Sequence, residues 1–231
     1  MQFNGFPKEA LEFLEKIEKN NSKEWFEAHK NEYEKYIKLP SASFVEEMGE
    51  HLMALEPTIN YAPKINHSMF KIYRDTRRMG NDKRPIKEKI GLIWWQGNHK
   101  RLQSSSFYMH FDKSTLFVSV GVRWFEKPLL DVYREYIKDE KNRANLAKIL
   151  ESITKKGYKI IDKGYKRYPR GFSADMPNVE LSLYKGMATY TTMPSSIITD
   201  PDKLIDTLYK CYEDMLELQQ EVYKISLYVK N

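Results

Sequence analysis

The chain is nearly without cysteine. Cys211 is the single one among 231 residues, so no disulfide can form within the chain. That scarcity points to a reducing compartment, and the expected location is cytoplasmic. Long apolar runs are missing too. No stretch approaches the roughly 20 residues that a membrane-spanning helix needs. The opening MQFNGFPKEALEF has neither the basic start nor the apolar run of a signal peptide. No membrane partner is expected. The chain also lacks a Pro/Gly/Ser-rich linker, an internal repeat and a low-complexity segment. The expectation is a single domain over residues 1–231, long enough to bury a substantial core.

Chemical motifs are scarce as well. There is no GxGxxG after a strand, no GxxxxGK[ST] and no GxSxG, which leaves nucleotide binding by those routes unsupported. The five histidines (His29, His51, His67, His99, His110) fall at none of the spacings HxH, HxxxH or HExxH. Without a cysteine pair either, no structural zinc site is expected, and whether a metal is used stays open. Cys211 sits in a helical pattern and reads as a small core residue. No nucleophile–base pair is legible. The sequence therefore leaves open whether the protein is an enzyme, which cofactor it uses, and its oligomeric state.

What the chain does have is unevenly placed charge. Its net charge is +6. Lys71–Lys89 holds eight basic and three acidic residues, a net of +5, and Lys155–Arg170 holds seven basic residues and one acid, a net of +6. The remainder is therefore at −5. If the two segments converge they form one strongly positive surface suited to anionic partners; the alternative is two independent solvated loops. Aromatic residues are plentiful, with 16 Tyr, 11 Phe and 4 Trp, enough to build a core from rings.

Along the chain, residues 6–56 read as helices. Pro7 suits a first turn, and Ala10, Leu11, Phe13, Leu14 and Ile17 form the apolar stripe. Asn20-Asn21 ends that helix and Ser22 caps the next, in which Trp25, Phe26, His29, Tyr33, Tyr36 and Ile37 share a face. His29 there reads as a packed histidine at the edge of the core. Pro40 kinks or restarts the helix, and Pro57 ends it.

Residues 67–123 read as sheet plus a basic loop. Strands are predicted at 68–74, 90–95, 106–112 and 115–122, the last two joined by Asp112-Lys113-Ser114 as the central hairpin. Phe107, Met109 and Phe111 fall on one face of it, and Tyr108, His110 and Asp112 on the other. Residues 124–185 hold predicted helices at 124–138 and 142–154, a short strand at 158–161, the second basic segment, and a short helix at 176–183. Residues 186–231 hold a strand at 186–193 and one last helix capped by Asp200 with Pro201 at its start. This order lacks regular βαβ alternation. The expected class is α+β, a mainly antiparallel sheet with N-terminal and C-terminal helices packed on it.

Three blocks carry a resemblance. FPKEALEFLEKIEKNNSKEWFEAHKNEYEKYI, MFKIYRDTRR followed by DKRPIKEKIG, and KRYPRGFSADMPNVELSLYKG lie in order and span nearly the whole chain. Together they resemble the uncharacterised family called domain of unknown function 2461. The resemblance implies a single intracellular α+β domain, found mostly in bacteria, and implies no activity, substrate or cofactor. Matched residue by residue, it favours Arg74, Asp75, Arg77, Asp82, Lys83, Pro85 and Lys87, then Arg167, Pro169, Gly171, Phe172, Pro177, Glu180 and Lys185. The chain departs from the pattern at Ile86, where a tyrosine is common, and at Val120-Gly121-Val122-Arg123, where a glycine-rich strand end is common.

Three functions fit these residues. The first is a site for an anionic, phosphate-bearing small molecule, held by Arg74, Arg77, Arg78, Lys83, Lys87, Lys166, Arg167, Arg170 and Lys185. Its walls would include Tyr73, Trp94, Trp124 or Phe172. If the protein is an enzyme, phosphate-ester or nucleotide chemistry fits best, with Asp75 or Asp82 as acid/base or metal ligand; His110 is a further catalytic candidate if its face of the strand looks into a cleft. The second is a single-stranded nucleic-acid module, because basic residues interleave with Tyr158, Tyr165, Tyr168 and Phe172. The third is a structural or partner-binding protein whose charge network only stabilises the fold.

Overall fold

A computed structural model describes residues 3–75, 77, 80 and 82–229. Its class is α+β, as the order of elements predicts. A six-stranded antiparallel sheet runs in the order β1-β2-β3-β4-β6-β5. Its strands are β1 (Ile59–Asn60), β2 (Ile90–Gln96), β3 (Ser106–Phe111), β4 (Thr115–Val122), β5 (Lys159–Ile160) and β6 (Met187–Pro194). The predicted hairpin β3–β4 lies at its centre. Phe107, Met109 and Phe111 are fully buried, as their alternation requires.

Helices α1 (Lys8–Lys19), α2 (Lys23–Ala28), α3 (Lys30–Tyr33) and α4 (Leu39–Leu52) precede the sheet. Helices α5 (Lys127–Lys138) and α6 (Glu140–Lys155) follow β4, and α7 (Pro201–Asp214) and α8 (Leu216–Ser226) close the chain. Ser22 caps α2 by accepting from Trp25 N at 3.1 Å, and Asp200 caps α7 by accepting from Lys203 N at 3.1 Å. A π-helical stretch, Glu34–Lys38, precedes Pro40. Proline has no N–H to continue the helical ladder, and the wider turn absorbs the loss. Among the described residues no helix is long and apolar enough to cross a membrane.

Three expectations change. The strand predicted at 68–74 does not form; Met69 and Tyr73 make only isolated bridges, to Leu92 and Ile86. The segment facing Tyr73 holds Pro85, which accepts from Arg74 N but cannot donate back, so the pairing there does not continue as a ladder. Residues 176–183 give a tight 3₁₀ turn at Val179–Leu183 rather than an α-helix. The last helix is two helices. Met215 leaves the helical region at φ −103° and ψ 6°, and no proline or glycine marks the break.

The chain divides into two compact units. Unit 1 comprises Met1–Trp94, Tyr108–Val118 and Thr192–Tyr209; unit 2 comprises Trp95–Phe107, Ser119–Thr191 and Lys210–Asn231. The core of unit 1 is ring on ring. Phe6 lies edge-on to Phe111 at 4.9 Å, and Phe44 lies edge-on to Trp94 at 5.9 Å. Trp94 is fully buried and donates to Val45 O at 3.0 Å.

Unit 2 buries more polar groups, and several of them bond to one another or to backbone carbonyls. Gln219 Nε2 donates to Gln96 Oε1 at 2.8 Å, and Ser105 Oγ donates to Gln219 O at 2.6 Å. Arg143 is 3% exposed, and its guanidinium donates to Pro177 O, Ile137 O and Lys138 O at 2.6, 2.9 and 3.0 Å. The last two are carbonyls at the end of α5, where the helix has no N–H of its own to offer. One buried arginine thus closes α5 and ties it to the loop before the Val179–Leu183 turn.

Candidate functional site

The first basic segment is an arm folded back on itself. Phe70 N donates to Gly91 O at 3.1 Å, Lys87 N to Ile72 O at 2.8 Å, and Arg74 N to Pro85 O at 2.8 Å. Pro85 supplies the only backbone group it has, its carbonyl. The arm is fastened to the end of α1 by Asn21. Asn21 Nδ2 donates to Ile86 O, and Ile86 N donates to Asn21 Oδ1, both at 3.0 Å. Ile86 is buried, so its side chain serves packing.

Most charges on the arm meet one another. Arg74 Nη1 donates to Asp82 Oδ2 at 2.9 Å, and Arg84 Nη2 donates to the same oxygen at 2.8 Å. Arg84 Nη1 also reaches Glu88 Oε1 at 2.8 Å. The Arg84 side-chain and backbone N–H groups outweigh burial, Arg74 adds to them, and the Asp82 carboxyl is held well below the usual carboxylate range. Arg77 grips Asp75 with two N–H groups, at 2.8 and 2.9 Å, and is itself highly exposed. Lys83 is exposed. Arg78, a predicted ligand-binding residue, lies outside the described residues.

Beside the arm, unit 1 contains a cleft of about 530 Å³. Three predicted residues line it: Arg74, Asp75 and Lys87. The sequence reading missed Glu18 of α1, Glu88 and Lys89 of the arm, and Asp112, Lys113 and Ser114 of the β3–β4 loop, which also line it. No local pattern joins these segments. The lining holds four cations and four carboxylates, so the cleft is balanced although the arm is basic. Lys113 pairs with Glu18 at 2.5 Å. Burial works against ionisation of Asp112, but the N–H groups of Ser114 and Thr115 prevail and its carboxyl is lowered. Lys87 Nζ donates to Lys71 O at 2.6 Å and sits 5.8 Å from the Phe70 ring centre.

Several predicted residues lie elsewhere. Asp82 and His110 are not among the lining residues. His110 stacks on Phe117 at 4.7 Å on the half-buried face of β3. Trp94 belongs to the core and cannot form a wall, because its ring is fully buried. Tyr73 bonds to Glu27 and lies edge-on to Phe26. His29 stacks on Trp25 at 4.1 Å with Nδ1 2.7 Å from Trp25 O, so that nitrogen carries the proton. Among the described residues no three His, Cys, Asp or Glu side chains gather as a metal-holding group.

The second basic segment belongs to unit 2. Lys163 and Tyr168 both bond to Glu180, which holds the Glu180 carboxyl low, Lys163 contributing most. Lys166, Arg167 and Arg170 are exposed. Phe172 is buried. Lys185 is half-buried, its ammonium 5.0 Å from the Trp124 ring centre and 4.7 Å from that of Tyr165.

No curated protein matches the chain. The model of one family, described as conserved hypothetical protein (DUF2461), matches residues 9–220 and so takes in the arm, the cleft and the second basic segment. The chain belongs to that family.

Proposed function

We propose that the cleft of unit 1 binds a small phosphate-bearing anion, with Arg74 as its principal contact and Lys87, Lys89 and Lys113 as surrounding positive charge. The observation that carries this reading is the state of Arg74. Its side chain is 23% exposed and lines the cleft, and Asp82 takes one of its N–H groups. A guanidinium has five such donors in a planar fork, which matches phosphate and carboxylate geometry. Asp82 bridges Arg74 and Arg84, so it fixes the guanidinium without covering it. The same arginine contacts keep Asp82 ionised, which suits positioning better than proton transfer. The reading is therefore of binding.

The experiment is a thermal-shift screen with inorganic phosphate, sugar phosphates and nucleotides. A ligand at about 100 times its dissociation constant stabilises by roughly 2.7 kcal/mol. For a chain of this size that is roughly 5–10 °C. The expected result is such a shift with phosphate-bearing compounds, lost in Arg74→Ala. No shift with any of them would overturn the proposal.

A structural role for the arm is the competing reading, favoured by the continuous network Arg74–Asp82–Arg84–Glu88–Asn21. It predicts that Arg84→Ala and Arg74→Ala both lower the melting temperature, and that no ligand raises it in the wild type.

A further inference from the structure

We propose that unit 2 carries a binding surface for single-stranded nucleic acid, in which Trp124 stacks a base and Lys166, Arg167 and Arg170 meet phosphates. Trp124 is 59% exposed. The turn that carries it is held in place. Gln103 Nε2 donates to Trp124 O at 2.9 Å, Glu126 N donates to Gln103 Oε1 at 2.7 Å, and Phe125 N donates to Lys185 O at 2.7 Å. Three hydrogen bonds thus pin the turn on which the indole stands.

The surroundings of the ring are cationic. The Lys185 ammonium sits between Trp124 and Tyr165, and the Arg134 guanidinium lies 4.8 Å from the centre of the Tyr165 ring. Gly164 makes the sandwich possible. A Cβ there would lie 2.2 Å from Cγ of Lys185, so only glycine lets the lysine stem pass. Lys166, Arg167 and Arg170 follow directly in the chain, are exposed, and enter no ion pair with the described residues. They differ in this from Arg74, Arg77 and Arg84 of the arm, which are paired with carboxylates.

Charge favours the same partner. Unit 2 has twenty basic and thirteen acidic residues, a net charge of +7, against eighteen and nineteen in unit 1. An exposed ring beside Lys185, with the exposed cations Lys166, Arg167 and Arg170 following Tyr165 in the chain, suits a strand whose bases are free to stack and whose backbone is negative. In a duplex the bases are already stacked. An acidic peptide would satisfy the cations and leave the indole without a matching flat partner.

The test is fluorescence anisotropy of the full chain with a labelled single strand of about 16 nucleotides at low salt. Binding is expected, with log K falling against log salt at about −0.7 per neutralised phosphate, so a slope of about −2 for three cations. Trp124→Ala should weaken binding about 10-fold with the slope unchanged. Trp124→Phe should restore most of it, and Arg167→Ala should make the slope shallower. The exposed Trp124 can be replaced without disturbing the core, and a melting curve checks that. The proposal is overturned by absence of binding at low salt, by binding that Trp124→Ala leaves unchanged, or by equal displacement with polyglutamate. That last result would identify an acidic polypeptide site.

Discussion

Asp82 shows how one carboxylate organises its neighbours. It bonds to Arg74 and Arg84 and its pKa lies well below the ordinary range, so the folded arm prefers it ionised. A group with a lowered folded-state pKa contributes stability above its unfolded value, near 4 for a carboxylate. That contribution fades as pH falls through and below this value. The arm should therefore loosen on acidification below about pH 4, read as a fall in the protection factors of the Arg74 and Lys87 amides, each rate being taken relative to the unstructured chain at the same pH. In Asp82→Asn the protection should already be low at neutral pH and change little with pH. Asn21 matters in another way, because both its amide groups hold the backbone of Ile86. Asn21→Ala should loosen the same arm without adding any dependence on pH.

Two elements depend on single residues for their shape. In β4, Gly121 has φ +112°, and a Cβ there would lie 2.2 Å from Met187 O. Gly121→Ala should destabilise by about 1–3 kcal/mol from the backbone conformation alone, with the clash adding to it. Chemical denaturation would measure the loss, and an unchanged midpoint would show that the strands can move apart. At α5, Arg143 serves the terminal carbonyls. Arg143→Met keeps the apolar bulk but leaves buried acceptors unpaired, at about 1–3 kcal/mol for each group. A fall in melting temperature of at least about 4 °C is expected. Neither substitution touches the cleft lining, so phosphate-induced shifts should survive both, measured at a temperature where the variants are folded.

At the scale of the molecule, the two proposed sites belong to different units, and the charge is unequal between them. Each variant should abolish its own ligand's effect alone. Arg74→Ala should keep oligonucleotide binding, and Trp124→Ala should keep the thermal response to phosphate compounds. Ionic strength separates them further. Affinity for the strand should fall steeply with salt, while a ligand neutralised by one or two groups in a cleft should respond much less. Loss of both responses in either variant would mean that one site serves both ligands.

The sequence by itself determined the α+β class, the central hairpin with its buried Phe107, Met109 and Phe111, the caps at Ser22 and Asp200, and the family. All of these rest on local periodicity, on capping chemistry, or on long ordered motifs, and so can be read a few residues at a time. It also located the arm, because charge density is local. It did not reveal that Pro85 would leave 68–74 as isolated bridges, since ladder formation depends on what the partner strand can donate. Nor did it reveal that Arg74 and Arg84 would share one carboxylate, or that Glu18 and Lys113 would meet over the cleft. Trp94 and Trp124 look alike as sequence, yet one is core and the other stands in water. Burial and ion pairing join residues tens of positions apart, so only the tertiary structure decided them.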